Sequence, residues 1–126
     1  MDRRSLIFGG AAAAGAAIAG RAAAHHSFAM FDRNKEVLLT GQVTQIQWAN
    51  PHVWIHVDVK KPDGKVEDWA LEGGSPNLLS RNGWKRTSLT AGDPVTVLIY
   101  PMKDGSTAGS FIEFTKRDGS KLNYHG

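Results

Sequence analysis

The side chains of this 126-residue chain best suited to chemistry are its five histidines, His25, His26, His52, His56 and His125. There is no cysteine, which excludes thiolate zinc sites, iron–sulfur clusters and a cysteine nucleophile and leaves imidazole, carboxylate and thioether as metal donors. His25 and His26 directly follow Ala22-Ala23-Ala24, a run of small residues that suits signal-peptide cleavage. A cut after Ala24 would make His25 the first residue, so that its α-amine and imidazole could chelate one ion together. With a second histidine this is the donor set of a copper histidine brace, since amine and imidazole nitrogens with open equatorial positions suit Cu(II). His26 complicates the site by offering a competing chelate through the backbone nitrogen between the two residues.

The candidates for the second histidine lie in Asn50-Pro51-His52-Val53-Trp54-Ile55-His56-Val57-Asp58-Val59, which alternates strictly. On a strand, side chains point to opposite faces with a period of two, so Val53, Ile55, Val57 and Val59 are expected inward and His52, Trp54, His56 and Asp58 outward. Four strand positions separate His52 from His56 by about 13 Å, so the two are not expected to ligate one ion. His52, beside the Asn50-Pro51 break where an arm could reach it, is the expected partner of His25; His56 is the other option. The plainer reading is that both are outward residues of a half-exposed strand. Met30 and Met102 could add a soft axial ligand, although packing is the simpler role for each. Trp54, with Trp48, supports a reading without metal, in which an exposed aromatic face takes a small ligand; the competing expectation is that the apolar arm at residues 28–31 covers Trp54.

Hydrolytic catalysis is not expected. Glu67 and Asp68 point to opposite faces of their strand, Asp68 and Glu72 are about 13 Å apart, and no nucleophile-elbow motif is present. Gly73-Gly74-Ser75, ahead of a short helix, reads either as an anion cradle or as a plain turn.

Residues 1–24 read as a cleavable export signal: Arg3-Arg4 precede Leu6-Ile7-Phe8 and a run rich in Ala and Gly. The paired arginines favour the twin-arginine route, which makes the expected location periplasmic. The apolar run falls short of the ~20 strongly hydrophobic residues of a membrane span, so no stable span is expected after cleavage. The leader would carry away Arg3, Arg4, Arg21 and Asp2, lowering the formal charge from +3 to +1. A nearly neutral exported domain has no electrostatic footprint for a phosphate backbone, so nucleic acid is not an expected partner.

The remaining residues, 25–126, read as one domain with an N-terminal arm at 25–36. Strands are predicted at about 37–48, with a bulge near Thr44-Gln45 where the apolar parity changes, and at 52–59, 66–72, 94–100, 109–115 and 120–124. Pro62-Asp63-Gly64 and Asp118-Gly119 mark hairpin turns. Trp69 and Leu71 are expected in the core. A helix of about two turns is predicted with Ser75 as N-cap, Pro76 in its first position and Gly83 as the left-handed residue past its end, which places Trp84 against Leu79. Three strands, a short helix and two strands is the order of an oligonucleotide/oligosaccharide-binding (OB) fold. The expected class is therefore all-β, a small five-stranded OB-like Greek-key barrel with its helix between strands three and four.

The motifs His25-His26-Ser27-Phe28, Asn50-Pro51-His52, Trp69-x-Leu71-Glu72, Ser75-Pro76-Asn77-x-Leu79, Gly83-Trp84, Leu89-x-x-Gly92-Asp93-x-Val95-x-Val97 and Pro101-x-Lys103-Asp104-Gly105 resemble a family of small exported bacterial proteins known only as a domain of unknown function. The resemblance implies export, a small β-rich domain and a histidine pair at the mature start, and it supplies no activity. The functional expectation therefore comes from the residues: sequestration or delivery of a metal ion, copper foremost, through His25, His26, His52 and His56. The alternative is a metal-free module binding a small ligand around Trp54 and Trp48.

Overall fold

The computed structural model describes residues 28–124. The leader, its cleavage position, His25, His26 and His125 lie outside them. The apolar alternation read from the sequence becomes six strands: β1 (Val37–Gln47), β2 (Trp54–Lys60), β3 (Val66–Glu72), β4 (Pro94–Pro101), β5 (Ala108–Lys116) and β6 (Lys121–Asn123). Among the described residues one helix, α1 (Pro76–Arg81), lies between β3 and β4, and a 3-10 turn (Phe28–Met30) precedes β1. The sheet order is β3-β2-β1-β4-β5-β6, and a parallel pairing of β3 with β5 closes the first five strands into a barrel. This is the OB-like barrel, with β6 as an added edge strand.

One long strand serves both halves of the barrel. β1 pairs with β4 through residues 37–42 and with β2 through residues 42–47. Its register shifts between Val43 and Gln45, which is the bulge the change of parity implied. Gly41 sits where the strands press together, for a Cβ there would collide with the carbonyl of Asp58. The core is built from the inward residues Val53, Ile55, Val57, Leu71, Val95, Val97 and Ile99. In β5, Phe111 and Phe114 differ in parity yet are both buried. A second register shift, after Leu98 pairs with Glu113 and before Ile99 pairs with Phe111, leaves Ile112 unpaired and turns both rings inward.

The caps of α1 follow the sequence. Ser75 is the N-cap and its hydroxyl accepts from the Leu78 N–H at 3.2 Å. At the other end Gly83 has φ +90°, its N–H donates to the Ser80 carbonyl and the Trp84 N–H to that of Leu79, the paired bonds of a Schellman ending. Trp84 then lies buried against Phe111 and Phe114, with centroids at 5.4 and 5.8 Å. Its indole N–H donates to the Asn123 carbonyl at 2.8 Å.

Two details differ from the sequence reading, while the arm docks on the barrel as expected. β2 begins at Trp54 rather than His52, because the Val53 backbone pairs with Gly73 and Gly74 after β3 instead of with β3 itself. Trp69 shares the inward parity of Leu71 but lies at the open end of the barrel, where it is half-buried and lines a recess with Met102 and Lys103. The arm bonds to the end of β4 and the turn after it: the Asp32 N–H donates to the Pro101 carbonyl and the Lys103 N–H to that of Met30. Phe31 bridges Met102 and both are buried, so Met102 is a packing residue.

Candidate functional site

The outer face of β1, β2 and β3 carries the side chains that alternation turned away from the core. Register sets them in rows: Gln47, Trp54 and Glu72 in one, Gln45, His56 and Ala70 in the next, and Gln42, Asp58 and Asp68 in the third. His52 stands just beyond the first row. Its position is fixed by the backbone, because the Val53 N–H donates to the Gly74 carbonyl at 2.8 Å while the Val53 carbonyl accepts from the Gly73 N–H at 2.9 Å. The Gly73 N–H is thereby taken up and α1 is only six residues long, so the stretch serves as a pairing segment.

The same pairing brings the His52 ring onto β3's end. Nδ1 lies 2.9 Å from the Gly73 carbonyl oxygen and 3.4 Å from Glu72 Oε1. A carbonyl oxygen only accepts, so Nδ1 carries the proton and a neutral ring keeps its lone pair on Nε2. The His52 side chain is 40% exposed while that of Glu72 is 8% exposed. A part-open imidazole whose inner nitrogen is tied to a carbonyl and a buried carboxylate is the arrangement that orients histidine ligands in metal centres.

The carboxylate sits in a crowded corner. A Cβ at Gly73 would enter the Phe111 ring, and one at Gly74 would strike the Tyr124 hydroxyl. Burial pushes the Tyr124 hydroxyl above its ordinary pKa; the nearby Arg33 charge pulls it down and the Glu72 charge pushes it up further. Arg33 itself lies over the Tyr100 ring at 5.0 Å. The corner thus joins the arm, the ends of β3 and β4, and the segment after β6.

His56 is placed separately. Its Nδ1 is 3.3 Å from Asp68 Oδ1 on the neighbouring strand, with side chains 26% and 63% exposed. His52 and His56 therefore take carboxylates four positions apart on β3, about 13 Å along the strand. Trp54 is half-buried on the outer face between Gln47 and Glu72. Trp48, past the end of β1, is half-buried against the core cluster. Among the described residues, no three His, Cys, Asp or Glu side chains are grouped to hold a metal ion; His25 and His26 lie outside them. Sequence reasoning weighed Glu72 only as a hydrolytic carboxylate and passed over Tyr124. The signal that could have found Glu72 is its outward parity beside Trp54, followed by two glycines that let other groups close over it.

A five-stranded OB-like barrel with one added strand and, at its rim, a histidine held by a backbone carbonyl beside a buried carboxylate is the class that fold and site define. By sequence the chain belongs to a family of unknown function (DUF6152), which it matches over residues 14–111. No curated protein and no solved structure matches it.

Proposed function

We propose that this is an exported metal-binding protein that sequesters or delivers copper, with His52 Nε2 as the donor supplied by the barrel. The observation that carries the reading is the bond from His52 Nδ1 to the Gly73 carbonyl, with Glu72 behind it, which leaves the outward nitrogen as the electron-pair donor. One imidazole does not hold Cu(II) alone. The remaining donors are the α-amine and imidazole of His25, released by cleavage after Ala24, with His26 or His56 as further candidates. Nitrogen donors of this kind favour copper over harder cations. The leader at residues 1–24 would deliver the domain to the periplasm, where a terminus made by export is available for binding.

The test compares Cu(II) affinity and the EPR spectrum of three proteins: one beginning at His25, one with an additional glycine ahead of it, and a His52→Ala variant. Both changes should weaken binding by at least ~10-fold, equivalent to about 1.4 kcal/mol, and alter the nitrogen hyperfine pattern. Unchanged binding in the glycine-extended protein would remove the terminal site, and unchanged binding in His52→Ala would remove the barrel's part in it.

A second reading rests on the row formed by Gln47, Trp54 and Glu72. An indole beside an amide on an outward sheet face, with the Glu72 carboxylate buried next to it, is the surface that would hold a small ligand without metal.

A further inference from the structure

β3 extends beyond the strand that closes the barrel against it. In the β2–β3 hairpin the Lys61 N–H donates to the Lys65 carbonyl at 2.8 Å and, at the other end, the Gly73 N–H donates to the Val53 carbonyl at 2.9 Å. The rungs to β2 therefore fall on the odd-numbered residues of β3, and the even-numbered ones turn their N–H and C=O the other way. On that side β5 begins only opposite Ala70, whose N–H donates to the Thr107 carbonyl at 3.1 Å. Among the described residues, the backbone N–H and C=O of Val66 and Asp68 make no hydrogen bond. They leave about 7 Å of strand edge open.

Edge strands are commonly guarded by charges of their own, and Asp68 is such a charge. It stands, however, directly opposite Asp58 of β2, in a pair that exchanges no backbone bonds and so brings its side chains closest. Like charges placed this way destabilise a sheet, and Asp58, inside the sheet, guards no edge. Among the described residues neither carboxylate has a lysine or arginine partner: Asp68 meets the His56 imidazole, and Lys60, on the same face opposite Val66, forms no ion pair. Val66 itself is 58% exposed. A strand added at this edge would set one side chain opposite Asp68, where a cation relieves the repulsion, and one opposite Val66, where an apolar group covers the valine.

We propose that this edge of β3 binds an extended basic peptide segment by strand addition, with a lysine or arginine opposite Asp68 and an apolar residue opposite Val66. Main-chain bonds to Val66 and Asp68 hold the segment, and the side chains select it. The contact needs no metal and does not involve His52.

The test is a titration of the metal-free full chain, followed by amide NMR, with a capped hexapeptide in which threonine alternates with lysine, valine and lysine, and with its counterpart carrying glutamate for lysine. The lysine peptide should saturate and shift the amides of Val66, Asp68 and Trp69, with the glutamate peptide at least ~10-fold weaker. Asp68→Lys should reverse that preference. Val66→Pro removes an N–H that faces away from β2, so the hairpin keeps its rungs; it should weaken the lysine peptide by at least ~10-fold while the β2 amides keep their positions. Asp68→Lys, at an exposed position, carries the test if Val66→Pro does not fold. Absence of saturation, equal affinity for the two peptides, an unreversed preference in Asp68→Lys, or full affinity in a folded Val66→Pro protein would each overturn the proposal. So would β3 shifts that grow with protein concentration in the absence of peptide, which would assign the edge to a second copy of this chain.

Discussion

At the level of single residues, one protein holds its two sheet histidines in different ways. His52 gives Nδ1 to a backbone carbonyl that cannot move without disturbing the pairing of Val53 with Gly73 and Gly74. His56 gives Nδ1 to an exposed carboxylate, Asp68, whose side chain is free to turn away. The first arrangement fixes a tautomer, whereas the second is a surface pair of small energetic consequence. Trp54, between them on the same face, is the residue whose role separates packing from binding. Its register neighbours across the strands are Gln47 and Glu72, and a cross-strand pair contributes about 1 kcal/mol at most. Trp54→Ala should accordingly lower the unfolding free energy, read from urea denaturation, by about that amount. A loss of about 3 kcal/mol or more, the scale of a buried aromatic truncation, would make Trp54 a packing residue and sink the reading in which it holds a ligand.

Turns and caps govern the elements. The link between β5 and β6 is fixed by the left-handed Gly119 (φ +86°), by the Gly119 N–H bonded to the Lys116 carbonyl, and by the Asp118 carboxylate bonded to Ser120. Those bonds to the Ser120 hydroxyl and N–H, with the Lys116 charge, hold the Asp118 carboxyl below its ordinary pKa despite a small opposing effect of desolvation. A carboxyl lowered on folding stabilises the native state above its unfolded pKa, near 3.9, and that contribution disappears as pH falls through the lower folded value. Asp118→Asn should therefore lower the urea midpoint at pH 6, and the gap to wild type should narrow only below about pH 3.9. A gap independent of pH would mean that shape, not charge, sets the turn. Local features of this kind were legible in the sequence: the Ser75 and Gly83 caps, the β1 bulge and the Asp118-Gly119 turn each depend on residues a few positions apart. The corner around Glu72 was not, because Gly73, Tyr124, Arg33 and His52 meet only through the register of strands distant in sequence. Trp69 had the correct parity, but parity does not say that its strand ends at the open mouth of the barrel. The amino-terminal histidines lie outside the described residues, so the copper reading still stands on the sequence and on His52.

For the molecule as a whole, closure of the barrel and shape of the rim site share one support. Phe111 lies within 5.3 to 5.9 Å, between ring centroids, of Phe114, Trp84 and Tyr124, and its ring fills the space a side chain at Gly73 would need. It thus joins the end of α1, the segment after β6 and the loop whose carbonyl orients His52, next to the parallel β3–β5 pairing that closes the barrel. With no disulfide available, this aromatic cluster must supply by burial what a covalent link would supply elsewhere. Phe111→Ala should cost about 3–5 kcal/mol, and far-UV circular dichroism and tryptophan fluorescence should lose signal together in one transition, since Trp84 reports the cluster and the strands report the barrel. The same substitution should loosen the Gly73 carbonyl, so that under native conditions 15N NMR of His52 shows a mixture of tautomers where the wild type shows the Nδ1-protonated form. A Phe111→Ala protein of near wild-type stability, or one that kept a single His52 tautomer, would show that core and rim are not coupled through this ring.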